Sequence, residues 1–99
     1  MKKHIAENEG YQYIPLDDWT NYFYTSDFDL SVTLICKGYN LATIDAEPNN
    51  KMVFVFKNNA SIGEVVDGYW SNRVLVNPLE FANARKNLKP RIFGMRKNY

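Results

Sequence analysis

Six cations fall within residues 85–97 of the chain: Arg85, Lys86, Lys89, Arg91, Arg96 and Lys97. After residue 75 only Glu80 carries the opposite sign. Gripping a polyphosphate needs clustered positive charge rather than a fixed motif, so this stretch is the candidate nucleic-acid-binding set. On a helix, Arg85 and Lys89 share a face one turn apart, with Lys86 beside them. If Pro90 ends or kinks that helix, the chain turns and brings Arg91 to the same surface, with Ile92, Phe93 and Met95 as an apolar edge. The plainer reading is a solvated helix face. Charge balance along the chain gives that reading weight. Residues 1–49 hold three lysines against eight acids, and residues 50–99 hold nine Lys and Arg against three acids. Two such halves can pack together and neutralise each other, or leave the basic one for a partner.

Other chemistries are poorly provided for. His4 is the only histidine and Cys36 the only cysteine. A disulfide within the monomer is excluded, and a zinc site lacks its ligands. Cys36 lies in an apolar stretch and reads as a buried, slow-reacting thiol. Asp17, Asp18, Asp27, Asp29, Asp45 and Glu47 can in principle hold Mg²⁺ for phosphoryl chemistry. Asp27 and Asp29 already suit the first turn of a helix, however, and no glycine-rich phosphate loop is present. The expectation is a protein without catalytic residues, metal or cofactor, and not an enzyme.

The elements that must position the basic stretch are organised around residues 21–55. Asn21–Thr25 reads as a short aromatic strand. A helix over Asp27–Lys37 follows, with Ser26 as N-cap, Asp29 three residues on and Gly38 as a left-handed stop. It is apolar on more than one face, which predicts packing on two sides. Tyr39–Glu47 is a second strand, Glu47-Pro-Asn-Asn50 a turn, and Lys51–Lys57 a third strand. Alternation puts Met52, Phe54 and Phe56 on one face of that strand, Val53 and Val55 on the other. Ser61 with Glu64 marks a second capping box, and Ile62, Val65, Val66, Tyr69 and Trp70 keep helical spacing. Val74–Val76 suits a short edge strand. Asn77 and Pro78 then open a third helix that runs to about Lys89.

The order β-α-β-β-α-(β)-α predicts an α+β fold: a small, mainly antiparallel sheet with helices on one face. It resembles a ferredoxin-like layout, which RNA-recognition domains share. Those domains stack bases on aromatics of the first and third strands, here Tyr22 and Tyr24 (or Phe23) with Phe54 and Phe56. The third strand lacks the accompanying glycine pattern, so core packing of these rings is the stronger expectation. Residues 1–20 read as an N-terminal arm before a single compact domain over 21–99. Tyr11, Tyr13 and Trp19 in the arm are the anchors if the chain works by docking on a partner protein.

The run Tyr24-Thr-Ser-Asp-Phe-Asp-Leu through Asp45, the strand Lys51–Phe56 and the stretch Tyr69–Ile92 resemble a small domain family of unknown function. The resemblance covers about residues 21–93 and leaves the arm outside. It implies a compact single domain found in bacteria, archaea and their viruses, often near phage or mobile genes, with no catalytic residues to carry over.

Composition agrees with one domain: 45% apolar and 23% charged residues are ordinary for a globular chain, which argues against wholesale disorder. Aromatics reach 15%, which fits a large core in a small domain. No run approaches the roughly 20 apolar residues of a membrane span, and the N-terminus lacks the apolar block of a signal peptide. A soluble, cytoplasmic protein without a membrane partner is expected. Two functions follow from the residues. One is an accessory module that binds nucleic acid or a nucleoprotein complex through the basic helix. The other is a protein-interaction module, of the kind phage inhibitors and adaptors use.

Overall fold

The computed structural model describes residues 21–96, with side chains through residue 94. The arm, with His4, Tyr11, Tyr13, Asp17, Asp18 and Trp19, lies outside the described residues, as does Lys97. Six elements follow one another: β1 (Tyr22–Thr25), α1 (Phe28–Cys36), β2 (Leu41–Ala46), β3 (Met52–Lys57), α2 (Ile62–Trp70) and α3 (Pro78–Arg96). The sheet order is β1-β3-β2, and both pairings are antiparallel. The fold is thus α+β. β1 and β2, joined through α1, run parallel with β3 inserted between them. This split β-α-β arrangement is the one a ferredoxin-like layout uses for its first three strands.

Alternation along β3 sorts the sheet into two faces. Met52, Phe54 and Phe56 join Ile44, Ala46 and Phe23 beneath the helices, where Leu30, Val32 and Leu34 of α1, Ile62 of α2 and Leu88 of α3 complete the core. Val53 and Val55 lie on the opposite face with Tyr22 and Tyr24 packed beside them. The pairings Phe23–Phe56 and Tyr24–Val55 keep the two sets apart. In β2 the register shifts between Leu41 and Thr43, so that Ala42 is the extra residue of a bulge. Because Phe54 and Phe56 are 1% and 0% exposed beneath the helices, they are core rings and present no stacking surface.

Local chemistry explains where α1 starts and stops. Asp27, not Ser26, is the N-cap: its carboxylate accepts from the Leu30 N–H at 2.8 Å. The Thr25 hydroxyl oxygen accepts from the Asp27 N–H and fixes the entry. At the other end Gly38 has φ of 93°, and the Tyr39 and Gly38 N–H groups return to the carbonyls of Leu34 and Ile35. That is a Schellman stop, for which glycine avoids a Cβ clash. Ser31 and Thr33 are buried, and their hydroxyls donate to the carbonyls of Asp27 and Asp29. Two polar side chains thus enter the core with their hydrogen bonds made.

Three expectations are corrected. Ser61 precedes α2 but makes no side-chain cap. Its hydroxyl is taken up by Asn59 Oδ1 at 2.8 Å and the Tyr39 hydroxyl at 2.6 Å. Val74–Val76 forms no strand. Asn72 adopts a left-handed conformation, and the Arg73 and Asn72 N–H groups return to the carbonyls of Gly68 and Tyr69. The chain doubles back so closely that a Cβ on Gly68 would stand 3.0 Å from Val74 Cγ2. Val74 therefore packs on α2 instead of extending the sheet. Finally, α3 does not end at Pro90 but continues through it to Arg96.

Candidate nucleic-acid interface

The start of α3 is set by Asn77, whose side-chain oxygen accepts from the N–H groups of Leu79 and Glu80 at 2.9 and 3.0 Å. Pro78 occupies the first helical position, where a missing N–H costs nothing. Leu88 is the anchor at 2% exposure, with Phe81, Ala84 and Ile92 packed against the core on the same side. This seating decides which cations look outward.

Arg85 is the best defined of them. Its Nε donates to Asp29 Oδ1 at 3.4 Å, and its guanidinium lies 5.3 Å above the centre of the Phe28 ring. Phe28 in turn meets Phe54 edge-on at 6.3 Å. The pair with Asp29 joins the basic and acidic halves of the chain, but both side chains remain about half exposed, so it is a weak tether. Lys86, Lys89 and Arg91 are exposed and form no ion pair among the described residues. Among the described residues, Arg85–Asp29 is thus the ion pair that links the two halves.

A groove of about 360 Å³ opens beside Arg85 and Lys89. Phe28, Met52, Phe54, Ile92 and Phe93 provide apolar walls, while Lys51, Ser26 and Asn50 stand at the far side. Lys51 is brought there by the β2–β3 turn, where Asn50 takes φ of 67° and its N–H donates to the Glu47 carbonyl. The site thus combines three cations from two elements with a half-exposed Phe93, 56% accessible. It can hold a ligand that is apolar and flat at one end and anionic at the other.

Arg91 departs from the expected grouping. Because the helix continues through Pro90, Arg91 lies about 120° around the axis from Arg85. It lines a separate groove with Glu80, Leu88 and Cys36. Arg96 is the last residue of α3, and its side chain lies outside the described set. Lys51 and the part of the lining from Phe28, Met52 and Phe54 are what sequence reasoning missed, whereas Ile92 and Phe93 were expected as an apolar edge. Lys51 sits next to a turn with no charged neighbour in sequence, and only the passage of α3 over that turn gives it company.

Cys36 is half-buried rather than fully buried. Burial, and then the Glu80 carboxylate, push its thiol up, against a smaller opposing effect of Lys37. Thiolate is scarce at neutral pH, which fits a slow-reacting group. Among the described residues no three His, Cys, Asp or Glu side chains gather to hold a metal ion. Nor is any helix long and apolar enough to cross a membrane.

No curated protein and no solved structure matches the chain. Residues 20–94 match the family DUF5659, a domain of unknown function, which takes in most of the described structure, the groove included. The chain therefore belongs to the DUF5659 family.

Proposed function

We propose that this domain is a small, non-catalytic accessory module that binds nucleic acid, alone or within a nucleoprotein complex, through the outer face of α3. The observation that carries the reading is the trio Lys51, Arg85 and Lys89 around one groove, with Lys86 next along α3 and, among the described residues, only Arg85 in an ion pair. Among the described acids near the groove, Asp27 is engaged as the cap of α1 and Asp29 pairs with Arg85 alone. Clustered cations along one helix suit a phosphate backbone.

Electrophoretic retardation on single- and double-stranded DNA and RNA tests the reading. Binding is expected at about 50 mM salt and should weaken steeply as salt rises. Lys86→Glu with Lys89→Glu should abolish it, leaving the Arg85–Asp29 pair and the fold intact. Single Lys→Ala changes should each lower the salt slope by about one unit. Absence of retardation for the unaltered protein at low salt sinks the reading.

A second reading rests on a different observation. Trp70, Leu75 and Leu79 are 62%, 83% and 68% exposed at the end of α2, the following loop and the start of α3. Exposed apolar side chains of this size suit a protein-docking surface. For that function these three join the arm residues Tyr11, Tyr13 and Trp19 as anchors to test.

A further inference from the structure

We infer that the groove between α3 and the β2–β3 turn receives one unstacked base of a single strand, so that the domain prefers single-stranded to duplex nucleic acid. The inference rests on the nucleic-acid reading above and adds the form of the ligand. A phosphate clamp for a duplex needs only cations on a convex surface. Here the cations border a concavity whose walls are Phe28, Met52, Ile92 and Phe93. At about 360 Å³ it falls near the lower end of the roughly 300–1,000 Å³ typical of small-molecule sites. A paired base inside a helix cannot enter such a groove, whereas a splayed base can.

The chemistry of the rim selects the occupant. Phe93 is packed loosely enough to be 56% exposed, and a half-free aromatic face is what stacks on a base. Phe28 is already covered by the Arg85 guanidinium at 5.3 Å, and so forms a wall and not a second platform. Lys89 and Arg85 stand one helical turn, about 6 Å, apart on α3. They can meet successive phosphates on one side of the base while Lys51 meets the strand on the other side. Asp29 holds Arg85 by its Nε and leaves its terminal nitrogens without a partner among the described residues. Those nitrogens are free for a phosphate. An apolar ligand would leave Lys51, Lys89 and the terminal nitrogens of Arg85 unused, and an anion without a ring would leave Phe93 idle.

The test uses the full chain and three fluorescent probes of equal length: an oligothymidylate of roughly 12 nucleotides, within the range of single-strand sites, a duplex, and an abasic strand of deoxyribose phosphate. The oligothymidylate is expected to bind about tenfold more tightly than the other two. Phe93→Ala should reduce its affinity about tenfold, to the abasic level, at unchanged salt slope, and Phe93→Trp should restore it. Lys89→Glu should weaken all three probes alike. Equal binding of thymidylate and abasic strands, or indifference to Phe93→Ala, overturns the inference while leaving backbone binding in place. Binding of none of the three at about 50 mM salt removes the nucleic-acid reading and the inference with it. A peptide rich in Glu and Tyr that binds where all three fail makes the groove a protein-docking site instead.

Discussion

α1 and α3 are both helices on the same side of the sheet, yet they are built for opposite ends. In α1 every residue from Leu30 to Leu34 is buried, and the Asp27 carboxylate closes one end while backbone hydrogen bonds from Gly38 and Tyr39 close the other. In α3, more than twice as long, Leu88 is the one buried residue among those whose side chains are described, and Leu79 and Phe93 are left exposed. The short helix holds the core together, and the long one uses a narrow apolar stripe to hold a polar face outward. A long helix with so little buried surface is stable only as far as its seat on α1 and β2 allows. Its remaining residues are available for contact with something else.

The largest expected effect tests the first half of that contrast. Leu34→Ala removes a fully buried side chain at the centre of α1 and should cost about 2–5 kcal/mol. The Lys86→Glu, Lys89→Glu pair on α3 should move stability by less than about 0.5 kcal/mol, since both side chains are exposed and unpaired. Urea denaturation of the two variants measures both numbers. A Leu34→Ala cost near that of the lysine changes would mean that α1 is peripheral.

Pro90 gives the next largest effect, in the opposite direction. It lies inside α3, where it cannot donate to the Lys86 carbonyl and its ring crowds the preceding turn. Interior proline costs about 3 kcal/mol, partly offset by up to about 1 kcal/mol from a stiffer unfolded chain. Pro90→Ala should therefore stabilise the domain by about 2 kcal/mol, seen as a higher urea midpoint and more helical circular dichroism. A loss of stability would place a break at Pro90 and return Arg91 to the neighbourhood of Lys89. The same variant thus decides which cations share a face.

The contrast also explains what could be read from the sequence. The three strands, the alternation of β3 and the Gly38 stop were legible because each rests on a few adjacent residues. The N-cap was displaced by one residue because Ser26 and Asp27 are both good caps, and only the Thr25 hydroxyl at the Asp27 N–H settles between them. Ser61 looked like a cap but is claimed by Asn59 and Tyr39, the latter 22 positions away. Val74–Val76 has strand residues, yet the left-handed Asn72 sends it back onto Gly68. The groove was the least legible part. Its floor comes from three elements and its third cation from a turn, and no local pattern reports where α3 crosses β2 and β3. Charge clustering drew attention to α3, though not to the face on which Arg91 falls.

Tyr69 is where α2 meets the acidic start of α1, and it provides the smallest and most specific test. Burial raises its hydroxyl pKa above the ordinary value of 10.0, with the Asp27 and Asp29 carboxylates and a hydrogen bond to Asp27 adding to the rise. The folded state thus favours the protonated phenol. Its contribution to stability is complete below pH of about 10, where the unfolded tyrosine titrates, and is lost as pH climbs through the higher folded value. Tyr69→Phe removes the hydroxyl on which the Asp27 and Asp29 carboxylates act and should lower stability at neutral pH by no more than about 1 kcal/mol, since the side chain is only partly buried. Above pH 10 the unaltered protein should lose that advantage while the variant does not, so the gap between their denaturation midpoints should narrow. Tyr24 is also raised, by burial first and then by Asp45 and Tyr22, so both proteins weaken in alkali. The difference between the two curves isolates Tyr69. A gap that stays constant from pH 7 to 11 would mean that the phenol titrates freely, and that α2 is not tied to the carboxylates that free the outer face of α3.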